Sequence, residues 1–230
     1  MNGFLNIKKI IVDGVALYRA HFLYITVLLS AVMVPYTLII KAESLPSFFI
    51  LIIPVFIIVI MQIEIISIRL VSTGYVEKNI ILIDEFKSSF KKVLPYTLLT
   101  LISTLLVFMG MTFFIIPGIA ANLYFNLVKV DFSVSNGKLK DSVFAAFKML
   151  KDGIFIKTLK IYLVPAVLQF LVALITNVEI NPATIEQDLL KIYPYLVIAL
   201  IILYPVTVCL KTAIYYNIIK ERMTLLEPAN

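Results

Sequence analysis

Tryptophan is absent from this sequence, and histidine and cysteine occur once each in 230 residues. Each scarcity closes a class of chemistry. A lone Cys209 provides neither an internal disulfide nor a cysteine-based metal site. A lone His21 removes most zinc sites and every Ser-His-Asp or Cys-His arrangement. Without tryptophan, tyrosine must anchor any membrane interface, and Tyr18, Tyr75, Tyr96, Tyr162, Tyr193, Tyr195, Tyr215 and Tyr216 fall near the ends of apolar runs. Charge is also scarce. Only 15% of residues are charged, against about a quarter in an ordinary soluble domain.

What fills the chain instead is apolar sequence, 61% of it, with a mean hydropathy of +1.03. From Val93 to Val128, 36 residues pass without a charge. That is too long for one membrane crossing and suits two spans of roughly 18–20 residues. Four more runs are long enough to cross. The reading is an all-α, polytopic membrane protein in one integral domain, 1–230, with six transmembrane helices near 22–40, 48–70, 93–110, 112–130, 161–178 and 193–217. Cytoplasmic interfacial amphipathic helices accompany them. Residues 1–21 carry Lys8, Lys9 and Arg19 among apolar positions at helical spacing, and are read as one such helix rather than a cleaved signal. Residues 69–95 read as a polar, lysine-bearing loop.

The basic residues act as a compass. With six crossings and both termini in the cytoplasm, 18 of the 20 lysines and arginines fall inside, leaving Lys41 and Lys191 outside. The reverse topology would invert that ratio, against the positive-inside bias. The net charge of +6 is therefore spread over short loops facing anionic lipid headgroups, and no separate nucleic-acid-binding domain is expected. The partners expected are the bilayer and those headgroups. In the central hairpin the turn is placed between Phe108 and Ile116, with Pro117 in the first turns of the fourth helix. That register carries Lys129 to the cytoplasmic surface.

Three cytoplasmic segments share a pattern: Asp13-Gly-Val-Ala-Leu-Tyr-Arg19, Asp84-Glu-Phe-Lys-Ser-Ser-Phe90 and Asp141-Ser-Val-Phe-Ala-Ala-Phe147. Each opens on an acid suited to a helix N-terminus and precedes a pair of spans. Two readings fit: three copies of one unit, or the ordinary look of an amphipathic helix beside a membrane. The motif Phe114-Ile-Ile-Pro-Gly-Ile119 and the run from Asp141 through Phe147-Lys-Met-Leu-Lys-Asp-Gly-Ile-Phe-Ile-Lys157 resemble the YciC family of bacterial inner-membrane proteins. They are more distantly similar to the membrane domain of some glycerophosphodiester phosphodiesterases. The resemblance implies six spans, the inner membrane and no established activity. Phe144-Ala-Ala-Phe147 departs from it where family members often carry Ser and Arg.

Ionisable and amide groups inside spans are costly and therefore mark candidate sites. Glu64 and Lys211 sit at similar predicted depth, and Gln62, Asn122, Asn126 and Gln169 could face the same interior. Either these form a site for a headgroup or solute, or they are a structural ion pair with interhelical hydrogen bonds; the latter ranks first. Pro35, Pro54, Pro165 and Pro205 fall within spans, where prolines are common. Asp84 and Glu85 are adjacent and face different sides of a helix, so they make no catalytic pair. Catalytic, metal and cofactor sites are not expected. The expected function is a non-enzymatic envelope scaffold or accessory protein, and the alternative is a permease for a small solute or lipid.

Overall fold

A computed structural model describes residues 7–40, 52–76, 82–113, 115–151, 154–156, 158–160, 162–163 and 201–220. Every regular element among them is helical. In chain order these are α1 (Ile7–Ile40), α2 (Ile52–Ser72), α3 (Leu82–Phe113), α4 (Ile115–Val134), α5 (Leu139–Met149) and α6 (Ile201–Lys220), with helical turns between α5 and α6. Four stretches are long and apolar enough to cross a membrane: Lys8–Pro35, Pro54–Ser72, Leu82–Phe113 and Ile201–Lys220. The predicted fourth span falls on α4, which is helical through Val134 but is not among these four stretches. Most of the predicted fifth span, with Pro165 and Gln169, lies outside the described residues, as do Lys41, Lys191, Tyr193 and Tyr195.

The side chains of α3 are arranged for lipid rather than water. Its buried stripe is Ser89, Val93, Tyr96, Leu99 and Ser103, a run at spacings of three and four. The opposite face exposes Leu94, Leu98, Leu101, Ile102, Leu105, Phe108 and Phe113. A helix that buries serines and exposes leucines is inverted relative to a water-soluble bundle. Small residues at the contact let helices approach, and lipid covers the rest. The layout is concentric: 56% and 50% of the most apolar windows of α6 and α2 are buried, against 22% for α1 and α3. The core joins Ile10, Leu17 and Ile25 of α1, Ile68 and Val71 of α2, Leu123 and Leu127 of α4, and Ile214 and Ile218 of α6.

Several expectations are corrected. Residues 69–95 are not one loop: α2 runs to Ser72, and α3 begins at Leu82 and continues through Pro95. The carbonyl that Pro95 leaves without a donor belongs to exposed Lys91, which can reach water. Asp13 does not start a helix, because α1 is already helical from Ile7; it accepts a hydrogen bond from Asn217 Nδ2 at 3.1 Å instead. Asp84 and Asp141 do lie in the first turns of α3 and α5, and Asp141 Oδ2 accepts from the Lys138 backbone N–H at 3.1 Å. Pro54 sits in the first turn of α2, where its missing N–H breaks no helical bond.

In the central hairpin α3 ends at Phe113 and α4 begins at Ile115, with Pro117 the third residue of α4, inside the predicted Phe108–Ile116 window. Two glycines allow so tight a turn. A Cβ on Gly110 would lie 2.8 Å from Cα of Gly118, and one on Gly118 would lie 2.6 Å from the Met111 backbone nitrogen. The far ends of α2, α4 and α6 meet the near ends of α1 and α3. There, Tyr75 stacks on Tyr216 at 4.5 Å, and Tyr215 Oη donates to Asp131 Oδ1 at 2.6 Å. We call this the basic end, since Arg69, Lys91, Lys92 and Lys138 line one groove there.

Candidate functional site

Two helices each turn one polar stripe toward a common space. On α4 the stripe is Asn122, Asn126 and Lys129; on α6 it is Tyr204, Thr207 and Lys211. Both sets follow helical spacing, so each stripe lies on a single face. Glu64 arrives from α2 and Tyr162 from the turns after α5, closing a cavity of about 250 Å³. Counting from the ends of α2 and α4 at about 1.5 Å per residue, Glu64 lies roughly 12 Å and Lys129 roughly 8 Å from the basic end. The cavity therefore sits within about two to three helical turns of the helix ends at the basic end, inside the bundle.

The hydrogen bonding of the cavity is incomplete. Lys211 Nζ donates to Glu64 Oε1 in a largely buried ion pair. Asn126 Nδ2 donates to Asn122 Oδ1 at 2.8 Å and to the Tyr162 hydroxyl. Thr207 Oγ1 is turned back to the Tyr204 carbonyl at 2.8 Å. Lys129 feels the charges of Glu64 and Lys211, but no carboxylate or carbonyl is bonded to its ammonium among the described residues. The Tyr204 hydroxyl is buried beside the Ser67 hydroxyl, and neither makes a hydrogen bond of good geometry among the described residues. With all three groups ionised, one negative and two positive charges leave a lining of +1.

Of the six residues singled out in the sequence, the structure brings together Glu64, Asn122, Asn126 and Lys211. Gln62 is elsewhere. Its Nε2 donates to the Phe86 carbonyl at 3.1 Å and lies 3.5 Å from Ser89 Oγ, riveting α2 to α3. Gln169 lies outside the described residues. Lys129 is a correction: it faces the cavity rather than the surface, because it continues the Asn122–Asn126 face by one turn. Tyr96 and Tyr162, expected as interface anchors, are buried inside the bundle. Tyr204 and Thr207 were missed, although their spacing to Lys211 repeats the α4 pattern.

A second ionic site lies at the basic end. Arg69 Nε donates to the Ser133 carbonyl at 2.6 Å, while Nη1 pairs with Glu85 and donates to Ser88 Oγ at 2.5 Å. Nearby, Lys92 Nζ donates to the carbonyls of Phe132 at 2.8 Å, Ser133 at 3.3 Å and Ser135. It thereby caps the C-terminal end of α4, where a cation is favoured. A group of three or more potential metal ligands is absent among the described residues. No family model, curated protein or solved structure matches this chain.

Proposed function

We propose that the chain is a multi-pass protein of the bacterial inner membrane that binds a small anionic group in its buried polar cavity, as a carrier or permease rather than an enzyme. The single observation behind this reading is the surplus cation. Lys129 shares a 250 Å³ space with an already matched Glu64–Lys211 pair and with the Tyr204 hydroxyl, which makes no well-formed hydrogen bond among the described residues. A lysine held within a bilayer costs about 2.5–3.5 kcal/mol on insertion scales. A bound anion would offset that cost and supply acceptors for the Tyr204 hydroxyl.

The six-span topology with both ends cytoplasmic, and kinship with the YciC family, belong to the same proposal. Their support is the lysine asymmetry and the Phe114–Ile119 and Asp141–Lys157 motifs. In that orientation the basic end faces the cytosol and the cavity lies in the inner leaflet. A scaffold role has one observation in its favour, the exposed Phe144 and Phe147 on α5, each with a lysine over its ring. A scaffold leaves the surplus cation in the cavity unexplained.

The test is titration of the purified, detergent-solubilised protein with glycerol 3-phosphate, followed by calorimetry. Saturable binding that disappears in Lys129→Met is the expected result. A wild-type protein that binds none, or a variant that binds as well, would overturn the reading.

A further inference from the structure

The polar cavity does not end at Lys129. A groove of about 320 Å³ begins at Asn122 and Lys129, the residues it shares with the cavity, and continues along Ser103, Thr104, Val107, Phe108 and Met111 of α3. Met111 marks its far end, since it packs against Gly118 at the tip of the hairpin. From Gly118 to Lys129 is eleven residues of α4, about 16 Å of helix. The groove thus runs from the charged site toward the opposite side of the bilayer, along the face of α3 that is exposed to lipid: Thr104, Phe108 and Met111 are all exposed.

The lining of the groove is apolar in effect. Val107, Phe108 and Met111 offer hydrocarbon and a thioether. The hydroxyls of Ser103 and Thr104 are both turned back onto the Thr100 carbonyl, at 2.9 and 2.8 Å. Neither needs a partner from a ligand. A water-soluble anion would have no use for such a channel, which would hold it against hydrocarbon without a donor. An acyl chain matches it, and its headgroup would then lie where the lining carries +1.

Resting on the cavity reading, we infer that the bound anion is the phosphate of an anionic phospholipid, admitted sideways between α3 and α4. The phosphodiester sits against Lys129, Asn122 and the Tyr204 hydroxyl, while one acyl chain lies along Val107, Phe108 and Met111. Lys129 stands at the junction and belongs to both compartments. No bond is made or broken; the protein extracts or holds the lipid.

The experiment uses the full chain in nanodiscs of phosphatidylcholine doped with phosphatidylglycerol carrying a diazirine in its acyl chain. Crosslinks are mapped by mass spectrometry, and glycerol 3-phosphate binding is measured in parallel. The expected result is labelling concentrated on the Ser103–Met111 face, competed by unlabelled phosphatidylglycerol and reduced at least tenfold by Lys129→Met. Val107→Trp, which fills the groove, should block labelling while leaving glycerol 3-phosphate binding intact. Labelling spread evenly over exposed positions such as Leu94, Leu98 and Leu105, or unchanged by Val107→Trp, would overturn the lateral route while the cavity reading stands. Loss of glycerol 3-phosphate binding in the wild type would instead overturn the cavity reading itself.

Discussion

Two ion pairs anchor α2 to its neighbours, and they are matched in burial. The side chains of Arg69 and Glu85 are 10% and 15% exposed; those of Lys211 and Glu64 are 11% and 12%. Their surroundings differ in what is left over. Around Arg69 the Nε and Nη1 donors are spent on one carboxylate, one hydroxyl and one carbonyl, and the charge itself is matched by Glu85. Around Glu64 the Lys129 ammonium has no hydrogen-bond acceptor, and the Tyr204 hydroxyl no well-formed bond, among the described residues. Burial alone therefore does not separate a brace from a binding site. Saturation does, because a group that is already satisfied gains little from a ligand, whereas an orphan buried charge gains much.

The largest effect is expected at the saturated site. Arg69→Met leaves Glu85 buried without its countercharge, and also strips Ser88 and the Ser133 carbonyl of a donor. Breaking a buried pair from one side costs about 3–5 kcal/mol. Unfolding in mixed micelles should show that loss, and Arg69→Met with Glu85→Gln should recover much of it. A single variant as stable as the wild type would remove the distinction between the two regions.

Lys129→Met should move stability the other way. It removes a cation that has no hydrogen-bond acceptor among the described residues and shares Glu64 electrostatically with Lys211, so the protein should gain about 1–2 kcal/mol while losing the anion. The same unfolding assay, run without ligand, checks the sign. Destabilisation comparable to that of Arg69→Met would mean that Lys129 is a brace like Arg69.

Glu64→Gln sharpens the contrast at the level of affinity. The amide keeps an acceptor for Lys211, so the pair becomes a hydrogen bond rather than a gap. The lining rises from +1 to +2, and removing a negative charge about 8 Å from an anion is worth roughly 2 kcal/mol at an effective dielectric of 20. Glycerol 3-phosphate should bind about tenfold more tightly after partial screening. Weaker binding would point to a cavity built for a cation or a neutral solute.

The sequence made the long apolar helices legible because lipid imposes a simple rule, long uncharged runs bounded by charge. It also paired Glu64 with Lys211, since both stand out against apolar neighbours. It did not reveal Lys129, whose position near the end of an apolar run reads equally well as a surface lysine. Only the register of α4, set by Gly110 against Gly118, decides which way that side chain faces. The helical spacing of Asn122, Asn126 and Lys129 held the clue. Tyr204 and Thr207 escaped for a different reason: tyrosine and threonine are unremarkable in membrane helices until a cavity gives them a side to face. Gln62 misled in the opposite direction, because a polar residue two positions from Glu64 lies about 200° around the helix and points to another helix altogether.

The smallest effects test the rule at single hydroxyls. Tyr204→Phe removes a buried hydroxyl that makes no well-formed hydrogen bond among the described residues, while Ser88→Ala removes one that receives a hydrogen bond from Arg69. An unsatisfied buried hydroxyl costs about 1–3 kcal/mol when nothing compensates it, and a made bond contributes about 0.5–1.5 kcal/mol. Tyr204→Phe should thus leave the empty protein equal or more stable by up to about 1 kcal/mol, whereas Ser88→Ala should cost about 1 kcal/mol. Ligand reverses the order. In saturating glycerol 3-phosphate, wild type should gain more stability than Tyr204→Phe, because only wild type has the hydroxyl to donate, and Ser88→Ala should gain as much as wild type. Paired unfolding curves with and without the anion give all these differences in one experiment. Equal ligand-induced gains for Tyr204→Phe and wild type would show that the orphan hydroxyl plays no part in binding, and would reduce the site to Lys129 alone.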